Sequence, residues 1–77
     1  MVTANDALAL LQQIGRSDIT ITDQSLMSEG KLNSIDIMDL VGAIESKYNC
    51  IIDAELIDVE CFESCDAIAK FIDKVLA

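Results

Sequence analysis

The stretch Leu32-Asn33-Ser34-Ile35-Asp36-Ile37-Met38-Asp39-Leu40-Val41-Gly42-Ala43-Ile44-Glu45-Ser46-Lys47-Tyr48 joins a polar, turn-forming segment to a run of apolar residues at helical spacing. Between Ser34 and Tyr48 the residues Ile37, Leu40, Val41, Ile44 and Tyr48 fall within one arc of a helical wheel, which predicts an amphipathic helix that turns those five toward a core. Ile35 lies almost opposite that arc, beside Asp39 and Gly42, with Met38 at the border and Asp36 on the flank. Asn33 and Ser34 are both types that cap helices. A hydroxyl therefore stands where unpaired N–H groups and the positive dipole end favour an anion, although capping alone also accounts for a serine there.

Working outward, residues 16–32 are rich in Ser, Asp, Thr, Gln and Gly, with isolated apolar residues at Ile19, Ile21, Leu26, Met27 and Leu32. The alternation Ile19-Thr20-Ile21-Thr22 has the period of a strand but finds no second strand to pair with. The segment reads as a loop pinned by its apolar residues, and a connection longer than about 15 residues in a small domain usually has a function. Before it, Ala4, Ala7, Leu8, Leu11 and Ile14 predict a first helix capped by Thr3 or Asn5 and stopped by Gly15. After Tyr48, residues 50–52 read as a buried extended link, and residues 55–61, with Leu56, Ile57 and Val59, as a short third helix. Ser64 caps a last helix with Asp66 in its first turn, Ile68, Phe71, Ile72 and Val75 at helical spacing, and Lys70 and Lys74 toward the end where cations suit the dipole. The expected fold is all-α: a small four-helix bundle of three main helices and one short one, with a long loop after the first helix, residues 1–77 forming a single domain.

A chain of 77 residues buries only about 60% of its unfolded surface, so a deep enclosed active site is not expected. With 14 acidic against 5 basic side chains and a formal charge of −9, it repels nucleic-acid phosphates and anionic lipid, and its natural partner is a basic protein surface. No apolar run approaches the ~18 to 20 residues of a membrane helix and no basic leader opens the chain, which reads as a cytoplasmic monomer. Cys50, Cys61 and Cys65 are odd in number, lack a CxxC pair and have no histidine to complete a zinc set, so reduced, mostly buried thiols are expected. Cys61 and Cys65, four apart, are placed to share a helix face.

Chemistry internal to the chain fails motif by motif. A calcium loop starting at Asp23 needs glycine at its sixth position and glutamate at its twelfth, where Ser28 and Ser34 stand. A serine hydrolase lacks its histidine base and its Gly-x-Ser-x-Gly elbow, and no glycine-rich phosphate loop is present. No metal site is expected. Any reaction at Ser34 has to be performed by another protein.

Asp23-x-Ser25-Leu26, then Gly30, then Leu32-Asn33-Ser34-Ile35-Asp36 and the apolar helix after it resemble the loop and Asp-Ser-Leu attachment motif of acyl carrier proteins, and the likeness extends from the first helix to Asp66-Ala67-Ile68. The resemblance implies a non-enzymatic carrier whose Ser34 is esterified with 4′-phosphopantetheine by a phosphopantetheinyl transferase that uses coenzyme A and magnesium. The thiol of that arm would hold an acyl or aminoacyl group as a thioester, as in fatty acid or polyketide assembly, for loading and transferring enzymes with basic docking surfaces. It places the first partner contacts at Asn33, Ile35, Asp36, Met38 and Asp39. Asn33 stands where the family has aspartate, Gly42 where many relatives have a bulky apolar residue, and the Gly-Gly-x-Ser pattern of peptidyl carrier domains is absent. Together with the mixed Glu45-Ser46-Lys47 end of the helix, these departures fit a specialised discrete carrier, an aminoacyl carrier such as a D-alanyl carrier included. The alternative is an acidic helical adaptor that binds a basic partner and is never modified.

Overall fold

Each helix begins where a side chain accepts an amide hydrogen bond from the first turn. A computed structural model describes residues 2–77, with helices α1 (Ala4–Gln13), α2 (Ser34–Tyr48) and α3 (Cys65–Leu76) capped by Thr3, Asn33 and Ser64. All three are predicted elements, and no strand occurs among the described residues. In α1 and α2 the cap is reciprocal: Asp6 and Asp36, three residues on, return their carboxylates to the backbone N–H of Thr3 and Asn33.

The ends follow from local geometry as well. Gly15, at φ +92°, donates to the Gln12 carbonyl and Arg16 to that of Leu11, the paired bonds of a Schellman motif that turns the chain sharply off α1. Asn49 closes α2 at φ 51°, a left-handed conformation that asparagine tolerates. The Glu45 carboxylate then takes the Ile52 amide at 2.7 Å and fixes the following link. Within that link only Ile52 is buried; Ile51 is 91% exposed.

The expected short helix over residues 55–61 is corrected to two 3₁₀ turns, Ala54–Leu56 and Val59–Phe62. Asp53 and Asp58 each accept the amide two residues on, which starts a new turn at each aspartate, and the β-branched Ile57 between them is extended. Cys61 and Cys65 consequently lie on different elements and share no helix face. Burial pushes the Cys65 thiol up; Cys50 and Cys61 are half-buried, and all three are free thiols.

The core joins Leu10 and Leu11 of α1, Leu40 and Ile44 of α2, and Ile68 and Ile72 of α3, all essentially inaccessible. Phe62 closes it from the second 3₁₀ turn, its ring 5.3 Å from that of Phe71 and tilted by 54°. No helix among the described residues is long and apolar enough to cross a membrane.

Between Gln13 and Ser34 the chain runs through turns, and Ile19, Leu26 and Leu32 insert into the core. Ile21, expected as a further anchor, is 40% exposed. The neighbourhood of Leu26 is held by Glu63: its carbonyl accepts the Leu26 amide at 2.9 Å and its carboxylate accepts the Met27 and Ser28 amides and the Ser28 hydroxyl. The Ser28 hydroxyl, then the Ser28 and Met27 amides, hold this carboxyl below its ordinary value of 4.5. The tether is therefore at full strength above that value and is lost as pH falls through the lower folded one. Amide hydrogen exchange at Met27 and Ser28 should accelerate in that acid window before exchange at Leu40 or Ile72 does; simultaneous release would show that the tether does not act locally.

Candidate functional site

The N-terminal edge of α2 is where the sequence concentrates its candidates, and the structure divides their labour. Asn33 is the cap: its side-chain carbonyl accepts the Asp36 amide at 3.0 Å. Ser34 is the first residue inside the helix, so its hydroxyl is not spent on capping. It is exposed and makes no hydrogen bond among the described residues. With the Asp36 amide taken, the N–H groups of Ser34 and Ile35 are the first-turn donors left to face an anion at that edge.

Of the six serines, Ser64 is buried as the cap of α3 and Ser28 donates to Glu63, while Ser17, Ser25 and Ser46 do not begin a helix. Ser34 alone among the described serines combines an exposed, uncommitted hydroxyl with a helix N-terminus. A phosphate ester fits such a place, since Ser34 is exposed and the nearest helix dipole end is positive.

Ile35 and Met38 are 72% and 75% exposed, a large apolar pair on the outer side of α2, and Asp39 is exposed beside them. Asp36 is not: its side chain is 13% exposed and its carboxylate is divided between the Asn33 amide and the Arg16 guanidinium, at 3.1 and 3.0 Å. Of the expected contacts, Ile35, Met38 and Asp39 are exposed, as is Asn33, whose side-chain carbonyl is taken by the cap, and Asp36 alone is mostly covered.

Arg16 escapes the sequence reading, since a lone cation in a loop has no period and no motif. Besides Asp36 it reaches Asp18, at 3.3 Å from its Nε, and the Lys31 carbonyl, so it ties the start of the 14–33 connection to its end and to α2. The only signal available was its place directly after Gly15, where a Schellman turn aims the next residue back across the helix end. Lys31 in turn pairs with Asp23 at 2.9 Å. That carboxylate also accepts the Thr20 amide, the foremost cause of its lowered pKa.

The family described as "Phosphopantetheine attachment site" matches residues 7–72, and the chain belongs to it. Members carry 4′-phosphopantetheine covalently on a serine, so this chain is a phosphopantetheine-carrying carrier protein and not a catalytic enzyme. No curated protein and no solved structure matches it.

Proposed function

We propose that Ser34 is the serine that bears the arm and that the chain works as a discrete carrier of acyl or aminoacyl groups. The single observation that supports this most is the uncommitted, exposed Ser34 hydroxyl on the helix edge that Asn33 caps. When attached, 4′-phosphopantetheine supplies a thiol that holds cargo as a thioester. The protein supplies the rest: Asn33 and Asp36 fix the helix start, Leu26 and Leu32 anchor the connection before it, and the N–H groups of Ser34 and Ile35 would be the donors available to an ester phosphate. In this reading residues 1–77 form one carrier domain, with the turns over residues 54–62 in place of a fourth helix and residues 14–33 as its long loop.

A tethered cargo is presented at high effective concentration to whichever enzyme is docked, and weak docking allows exchange of partners. Docking falls to Ile35, Met38 and Asp39, with apolar burial and one carboxylate offered to a basic surface. Asp39→Lys should lower kcat/KM for arm attachment and for cargo transfer by roughly three- to tenfold at low salt, as reversal of a rim charge does, without changing the circular dichroism. Unchanged turnover would move the docking surface elsewhere.

The reading is tested by incubating the protein with coenzyme A, magnesium and a promiscuous phosphopantetheinyl transferase, then measuring the intact mass. A carrier gains one arm. An unmodified acidic adaptor gains none.

A further inference from the structure

The charge of −9 is unevenly spread. Residues 48–69 contain Asp53, Glu55, Asp58, Glu60, Glu63 and Asp66 and no cation, whereas the corner at Ser34 holds two of the five cations, Arg16 and Lys31, each spent on aspartates. Asn33 contributes no charge, and Asp36 is paired and largely covered. Going along α2 from Ser34, the first carboxylate without a partner among the described residues is Asp39, five residues or ~7.5 Å along the axis. Between them stand Ile35 and Met38.

We propose that Arg16 is a positioning residue that sets the electrostatic face of the attachment site. By occupying Asp36 it removes that carboxylate from the docking edge, so a partner meets an apolar pair and one free carboxylate. The inference rests on the Ser34 reading and adds a determinant of partner choice: enzymes that act here need an apolar socket for Ile35 and Met38 more than a row of basic residues. The geometry carries it in three ways. The Arg16–Asp36 contact is close, at 3.0 Å, and both side chains are mostly covered, at 26% and 13% exposure. The guanidinium is also fixed from behind by Asp18 and the Lys31 carbonyl, so it cannot swing away without releasing the connection.

The test is a charge cycle on arm attachment by a transferase with a basic docking surface, with KM and kcat measured for wild type, Arg16→Gln, Asp36→Asn and the double variant at low and at roughly 0.5 M salt. Arg16→Gln exposes the carboxylate, so at low salt its KM should fall about threefold, and the gain should vanish at high salt where such charges are screened. Its kcat should fall, because the edge is less firmly held. Asp36→Asn exposes the guanidinium and should raise KM by a similar factor. The double variant, with both charges gone, should return to the wild-type KM and salt dependence; Asn at position 36 still accepts the cap amide. Arg16→Lys, which keeps the charge, should stay near the wild-type KM.

If Asp36 touches the transferase directly, the double variant keeps the raised KM of Asp36→Asn, and the inference is overturned. Salt dependence identical in all variants overturns it too, leaving Arg16 a structural brace. Should Arg16→Gln fail to fold, the double variant against Asp36→Asn decides alone. A wild type that takes no arm at all overturns the Ser34 reading and this inference together, whereas labelling with the wrong KM pattern overturns only the latter.

Discussion

Ser34→Ala is expected to abolish arm attachment and to leave the melting temperature almost where it was. The hydroxyl makes no hydrogen bond among the described residues and is exposed, so its removal costs no buried contact, and alanine is well tolerated in the first turn of a helix. Asn33→Ala should do the reverse. It deletes the acceptor for the Asp36 amide, which costs about 1 kcal/mol and lowers the melting temperature of so small a domain by roughly 4–8 °C, while the protein still accepts the arm. The pair separates two roles that neighbouring residues of similar chemistry could each have held. Were Ser34→Ala instead to destabilise the fold as an N-cap loss does, the serine would be part of the helix start.

Phe62→Ala is expected to have the largest effect on stability. The ring is fully buried and packs against Phe71 at the junction of the second 3₁₀ turn and α3. Truncation of such a side chain costs about 3–5 kcal/mol, and a chain of this length has in all about 4–12 kcal/mol of stability at the usual ~0.05–0.15 kcal/mol per residue. Denaturant unfolding should show the stability lowered by about 3–5 kcal/mol, roughly a quarter of the total or more. The loss should be felt beyond the core, because the next residue, Glu63, tethers Leu26, Met27 and Ser28. Ile21→Ala, at an exposed position of the same connection, is the control and should be nearly neutral. A Phe62→Ala protein as stable as wild type would mean that the 3₁₀ segment is dispensable to the core.

The three helices are legible in the sequence because their apolar periods are long enough to outweigh local chemistry. Ile37, Leu40 and Ile44, and Ile68, Phe71 and Ile72, are buried as their spacing requires. Residues 55–61 show the limit: the run is short, and Asp53 and Asp58 each impose a turn that no wheel reveals. Of the site, the outward Ile35 is legible from the wheel, since a wheel measures direction, whereas Met38, at the border of that arc, is 75% exposed. The pairing of Asp36 is not legible there, because direction on one helix says nothing of the loop that folds onto it, and the cation paired with it lies 20 residues away in sequence. The division between Asn33 and Ser34 was legible in principle. Asp36 stands three residues after Asn33, as Asp6 does after Thr3, whereas Ile37 stands three after Ser34, so only Asn33 has the partner a reciprocal cap needs.

The most direct test is to label the wild-type protein with a transferase, coenzyme A and magnesium, digest it, and locate the added group by fragmenting the peptide that contains residues 32–39. One arm on Ser34, and on none of the other five serines, is the predicted result. An arm on Ser17, Ser25, Ser28, Ser46 or Ser64, or a peptide that stays unmodified when the transferase labels a control carrier, would contradict it.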